Sequence, residues 1–281
     1  MATIILVRHG ENDWSKNNKL AGWLPGVHLN ETGHRQAEAV AQRLAALPIK
    51  AVYSSPLTRC VETAAYIADT HRLSVQHLEE IGEVRYGEWE GKKIKKLARK
   101  PMWHAVQFFP SRARFPGGET LGETQYRAVT ALEETAARHE KEMVVVVSHA
   151  DIIRLLLAHY LGVHIDLFQR LVISPGAASV IALSPDGMVR VLRVNDDGPM
   201  HSPAPPEQAA KEKKSKSAAA KDEKRKKSGK GTKHSSEMDN AAVIGPATDG
   251  TGWREVPLSA DGRENNEPAR VQLGVALDEE E

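Results

Sequence analysis

Two histidines and two arginines stand at the ends of apolar runs that are far apart in this 281-residue chain. Arg8 and His9 follow Thr3–Val7, Arg59 closes the segment Ser54-Ser55-Pro56-Leu57-Thr58-Arg59 after Lys50–Ser54, and His149 follows Met143–Val147 and Ser148. A guanidinium pairs bidentately with phosphoryl oxygens, and an imidazole nitrogen can attack phosphorus. The set therefore suits a phosphate pocket. Each member alone has a plainer explanation. Arg-His-Gly arises by chance, a histidine after an apolar strand is commonly a hydrogen-bonded structural residue, and an arginine on an amphipathic helix is commonly at the surface. It is their recurrence at strand ends that favours one shared site. The chain has twelve histidines but no HExxH and no Cys/His cluster, so no metal is implied.

The elements that must carry these residues follow from periodicity. Thr3–Val7, Lys50–Ser54 and Met143–Val147 read as buried strands, and Leu73–Leu78 as a weaker one. Helices are expected over Glu31–Leu47, from Pro56 through Asp69, over Glu119–Glu140 and over Ile152–Leu161. Pro56 suits a first helical turn. Ala178–Leu183 and Met188–Val194 flank Pro185-Asp186-Gly187, a hairpin signal. Strands alternating with helices imply an α/β fold whose sheet is covered on both faces. Ligands of such folds bind beyond the carboxyl ends of the strands, where the four residues stand.

Composition divides the chain. Residues 1–198 hold 13 of the 14 aromatics, whereas only 8 of the 83 residues in 199–281 are Leu, Ile, Val or Phe. So few apolar groups do not offset chain entropy, so a domain over 1–198 and a disordered tail over 199–281 are expected. The near-neutral net charge of +1 hides a basic block, 211–233, with 11 Lys/Arg and 3 Asp/Glu, and an acidic block, 234–281, with 3 Arg and 11 Asp/Glu. Such runs are solvated tethers or contacts for nucleic acid or an anionic surface. A short N-terminal apolar run without a basic segment does not read as a signal peptide, and no stretch is long enough to span a membrane. A cytoplasmic protein is expected. Cys60 has no partner for a disulfide and reads as a small buried group.

LVRHGEN (6–12), SSPLTRCVETA (54–64), EVRYGEWEG (83–91), FPGGETL (115–121) and VVSHA (146–150) resemble, in order, the motif series of the histidine phosphatase superfamily. The phosphoglycerate-mutase-like branch is nearest, with LAGWLPGVHLNETG (20–33) and DLFQR (166–170) similar to its phosphomutase sub-branch. The resemblance covers residues 3 to about 194. It implies a three-layer α/β/α sandwich with a mostly parallel sheet, no cofactor, and a small phosphate ester as substrate. It also implies His9 as the nucleophile that becomes phosphohistidine, with Arg8, Arg59 and a protonated His149 around the phosphate. Glu83, before Tyr86-Gly87, matches the proton donor; Glu11, Glu79, Glu80, Glu88, Glu90 and Glu119 read mostly as solvated carboxylates. Ser15 stands where the family often has a phosphate-binding Asn, with Asn12, Asn17 and Asn18 as nearby alternatives. Ala150 replaces the usual Gly after the second His.

The expected activity is metal-independent phosphomonoester hydrolysis. A phosphomutase and a non-catalytic phosphate-binding scaffold are the alternatives. Trp14, Trp23, Trp103, Phe108 and Phe109 are expected around the pocket rim. The run Lys92–Lys100 reads as a solvated helix face with Ile94, Leu97 and Ala98 inward, or as a steering charge for an anionic substrate.

Overall fold

The computed structural model describes residues 1–198; the expected disordered tail, with its basic and acidic blocks, lies outside the described residues. The β-branched runs form strands because their stiff side chains pack well on a pleated surface. They are β1 (Ala2–Arg8), β2 (Ile49–Ser54), β3 (Val75–His77), β4 (Met143–Ser148), β5 (Ala178–Leu183) and β6 (Val189–Asp196). One sheet results, in the order β3-β2-β4-β1-β5-β6. The four strands from β3 to β1 are parallel, and β5 runs antiparallel to β1 and β6.

Seven helices are named among the described residues: α1 (Asp13–Lys16), α2 (Glu31–Leu44), α3 (Thr58–His71), α4 (Ile94–Leu97), α5 (Pro101–Phe108), α6 (Leu121–Arg138) and α7 (Ala150–Leu161). Alternation along the strands sends Ile5, Val7, Val52, Val145 and Val147 to one face, with Val40 of α2 and Ala64 and Ile67 of α3. Ile4, Leu6, Tyr53, Val144 and Val146 go to the other, with Leu132 of α6 and Ile152 and Leu156 of α7. This is a three-layer α/β/α sandwich. Being covered on both faces, β4 reads as an unbroken apolar run rather than an alternating one. None of the helices in residues 1–198 is long and apolar enough to cross a membrane.

Strand order explains why distant segments meet. Arg8 pairs in register with Ser148, and Ser54 with Val147, so three strands end side by side. The chain leaves β1 for α2 on one face and β4 for α7 on the other. Adjacent strands whose helices lie on opposite faces leave a crevice at their carboxyl ends.

Several boundaries differ from the sequence reading. The helix expected from Pro56 starts at Thr58, because Ser55 to Leu57 wrap the crevice and Ser55 Oγ hydrogen-bonds His149. The helix expected to reach Leu47 ends at Leu44, and a turn closed by Leu47 N to Leu44 O leads into β2. The weak strand shrinks to the edge strand β3, which has a neighbour on one side only. In the basic run Leu97 is buried, but Ile94 is only partly so and Ala98 is exposed, because α4 is a single turn.

Gly33 tests backbone contact against helix propensity. It lies inside α2, where alanine normally gains about 1 kcal/mol over glycine. A Cβ there would stand 2.0 Å from Glu11 O, however, and a Cβ on Gly10 would stand 2.4 Å from Gly33 O. The loop carrying His9 thus lies directly on α2. Gly33→Ala is expected to destabilise the protein by about 2 kcal/mol or more, overpacking outweighing propensity. A thermal melt showing an unchanged or higher midpoint would contradict that ranking.

Candidate active site

The crevice between β1 and β4 brings together the residues that sequence spacing singles out. His9 N donates to Ser148 O at 3.0 Å, and the rings of His9 and His149 lie 5.2 Å apart between centroids, edge to face. Arg59, 2% exposed on the first turn of α3, reaches both. Its Nε donates to His9 Nε2 at 3.3 Å and its Nη2 to His149 Nδ1 at 3.1 Å and Gly22 O at 3.0 Å. Arg8, at the end of β1, donates from Nη1 to Ile173 O at 2.5 Å.

These bonds determine tautomers. His9 Nδ1 lies 2.7 Å from Gly10 O, which can only accept, so the proton is on Nδ1 and Nε2 carries the lone pair. Arg59 Nε bonds to that lone pair. Burial, then the charges of Arg59 and Arg8, hold the His9 pKa well below the usual imidazole value. His9 is a neutral imidazole with its lone pair on Nε2.

His149 is expected to be protonated beside a bound phosphate; the free protein shows its state before one binds. Its Nδ1 accepts from Arg59, and its Nε2 lies 2.8 Å from Ser55 Oγ. Burial, Arg59, His9 and Arg8 all depress its pKa. In the free protein it is neutral, because protonation would place a third cation beside two guanidiniums in a dry site.

Glu83 lies on the loop after β3, its side chain 13% exposed, with Oε2 3.6 Å from His149 Nδ1. Burial, then the nearby Asp151 carboxylate, push its pKa up to about 7, against Arg59, the Val84 N–H and Arg8. A carboxyl so placed exchanges a proton near neutrality, which suits a group that must act as acid and then as base.

Of the five buried side-chain polar atoms without a partner among the described residues, two, Arg8 Nε and Arg59 Nη1, belong to this site. A buried unmade donor costs about 1–3 kcal/mol, and such groups are tolerated where a ligand supplies the acceptor. With α7 beginning immediately after His149, the site presents positive potential to an anion. A cavity of about 530 Å³ lies at the other end of the sheet, lined by Glu133, Glu140, Leu183 and Pro185 among others, and none of the four strand-end residues borders it.

Ser15 is not gathered into this cluster. It is exposed on α1, its hydroxyl donating to Asn12 O and its N–H to Asn12 Oδ1 in a capping box. Of the five aromatics expected at the rim, Trp23 reaches the Glu83 loop, donating from Nε1 to Glu83 O at 2.5 Å. Trp103 instead stacks on buried Trp89. Cys60 is buried as expected, its Sγ 3.4 Å from His149 Nε2, and burial raises its pKa to about 12. Glu119 is not a solvated carboxylate: its side chain is 13% exposed and paired with Arg127.

Tyr86, Asp151 and Arg154 join the site without being singled out by motif spacing. Tyr86 OH donates to Asp151 Oδ2 at 2.8 Å, and Arg154 Nη1 to Asp151 Oδ1 at 2.8 Å. Asp151 acts on the Glu83 proton and Arg154 on Arg8. Asp151 follows His149 by two positions in the chain, a signal of proximity that was open to use.

Residues 4–197 match the family model of the histidine phosphatase superfamily, branch 1. The chain belongs to that superfamily. Phosphoserine phosphatase 1 of Hydrogenobacter thermophilus is 33% identical to this histidine phosphatase over 197 residues, covering 69% of this chain and 92% of that protein. A 2,3-bisphosphoglycerate-dependent phosphoglycerate mutase of Brucella melitensis is 31% identical over 201 residues, covering 66% of this chain and 95% of the mutase. Among solved structures, Bacillus stearothermophilus YhfR superposes with a TM-score of 0.64 at 26% identity, covering 70% of this chain and 98% of that one.

Proposed function

We propose that this histidine phosphatase is a metal-independent phosphomonoester hydrolase acting through a phosphohistidine on His9. The observation that carries the reading is the His9 lone pair, held on Nε2 by the Gly10 carbonyl and faced by Arg59. His9 Nε2 attacks phosphorus, the phosphorus–ester oxygen bond breaks, and Glu83 gives its proton to the leaving alkoxide. Arg8 and Arg59, joined by His149 once it is protonated beside the bound dianion, stabilise the charge on the equatorial oxygens. The Glu83 carboxylate then takes a proton from water as that water attacks phosphorus. The phosphorus–nitrogen bond breaks, inorganic phosphate leaves, and Glu83 is protonated again.

The relatives' names support small phosphate esters, phosphoserine and the phosphoglycerates first among them, as substrates. Similarity to the mutase supports a second reading, in which the phosphoenzyme returns its group to another oxygen before water enters. Purified protein assayed with a panel of phosphate esters in EDTA is expected to release phosphate, and a chain ending at Asp197 to match it. Transfer between 2- and 3-phosphoglycerate, without phosphate release from any ester, would overturn hydrolysis in favour of the mutase.

A further inference from the structure

The carboxyl of Glu83 has to meet the ester oxygen of a substrate held by residues on other strands, yet Glu83 sits on a loop. Its own side chain makes one hydrogen bond that orients it locally, Val84 N to Oε1 at 3.1 Å. The backbone around it is held from α6. Arg127 Nη1 donates to Glu80 O and, at 3.0 Å, to Gly82 O, while Nη2 donates to Glu83 O at 3.0 Å. The rest of the guanidinium is engaged by Glu119, Nε to Oε2 at 3.1 Å and Nη2 to Oε1 at 2.6 Å. Every N–H of Arg127 is thereby used, which only a planar five-donor fork can do and a lysine cannot.

Glu119 grips the other side of the acid. Its Oε1 accepts from Arg85 N at 2.8 Å, and its own N–H donates to Arg85 O at 3.0 Å. The two glycine-bearing loops meet backbone to backbone here. Glu88 N donates to Pro116 O at 2.8 Å, and a Cβ on Gly118 would stand 2.1 Å from Arg85 O. The residues before and after Glu83 are therefore fixed by one ion pair that hydrogen-bonds none of the four strand-end residues and acts on His149 only through the charge of Arg127. At 20% and 13% side-chain exposure, Arg127 and Glu119 are shielded enough for the pair to hold.

We propose that Glu119–Arg127 is a positioning pair for Glu83, holding the loop so that its carboxyl reaches the leaving oxygen. The inference rests on the reading of Glu83 as the acid. Loss of position by about 1 Å can cost about 100-fold in rate, and general acid catalysis contributes about 10²–10⁴. An alkoxide needs that proton to leave, whereas nitrophenolate does not. The test compares kcat/KM for an alkyl phosphate and for p-nitrophenyl phosphate, because kcat/KM reports the phosphorylation step alone.

Arg127→Gln is expected to lower the alkyl value about 10- to 100-fold and the nitrophenyl value less than about 3-fold. Glu119→Gln should act in the same direction with a smaller loss. In a Glu83→Gln background the Arg127→Gln effect should vanish. An equal loss on both esters, no loss on either, or a loss that persists without Glu83 would each overturn the proposal. If Arg127→Gln shows no cooperative melt, the same comparison with Glu119→Gln decides. Glu83→Gln alone separates the two ideas. If it spares the alkyl ester, the acid assignment itself fails; if it is selectively damaging while Arg127→Gln is silent, only the positioning pair fails.

Discussion

Replacing His9 by alanine is expected to reduce phosphate release from every ester by at least about 10⁴-fold, as removal of a nucleophile does in other covalent enzymes. Arg59 meets a lone pair on each ring, but it stands 3.3 Å from His9 Nε2 and 3.1 Å from His149 Nδ1, and the His149 ring is further engaged by Ser55 Oγ at Nε2 and by Glu83 beside Nδ1. Brief exposure to a labelled ester followed by alkaline quench should trap acid-labile phosphate on the native protein and none on His9→Ala. The variant should stay folded, since His9 lies at the crevice and not in either apolar layer. Equal labelling of both proteins would remove His9 from the mechanism.

Arg59→Met carries the second large effect. Methionine fills a buried site without leaving a charge, so the fold is expected to survive. The rate is expected to fall by about 10²–10³, the usual loss when one preorganised donor to the transferring group is removed. The pH profile distinguishes this from a general loss of packing. After burial itself, Arg59 is the largest influence lowering the pKa of His9 and of His149, and it also lowers that of Glu83. Removing its charge raises all three. His9 must be neutral to attack, so the acidic limb of kcat/KM moves to higher pH. Glu83 must be protonated to donate, so the basic limb, near 7 in the native protein, moves up as well. Arg59→Lys should restore much of the position of both limbs but not the rate, because an ammonium lacks the fork. A profile that falls without moving would count against this electrostatic role.

These expectations draw on two kinds of information. The strands, the helices on both faces and the convergence of Arg8, His9, Arg59 and His149 were legible because they depend on local rules. β-Branched runs make strands, alternation with helices makes a covered sheet, and such sheets bind ligands where strands end. The register of Arg8 beside Ser148 then brings the segments together. Boundaries were less legible where a loop had tertiary work to do. Ser55 delays α3 by reaching for His149, and the loop after His9 needs Gly33 free of a side chain.

The protonation states were not legible, since a pKa depends on desolvation and on charges that become neighbours only on folding. Burial and Arg59 hold the His149 pKa well below the usual imidazole value in the free protein, whereas its expected protonated state is one beside a bound phosphate. Ser15 occupied the right position in the chain, yet the cap on Asn12 engages its hydroxyl. Glu119 belonged to a motif and read as solvated, yet it pairs with Arg127 across the Glu83 loop. The amino-acid sequence by itself determined which chemical groups reach the crevice, because strand ends and apolar periodicity are properties of the chain. Only the tertiary structure decided their charge, tautomer and aim, because these depend on distances between residues that the chain keeps far apart.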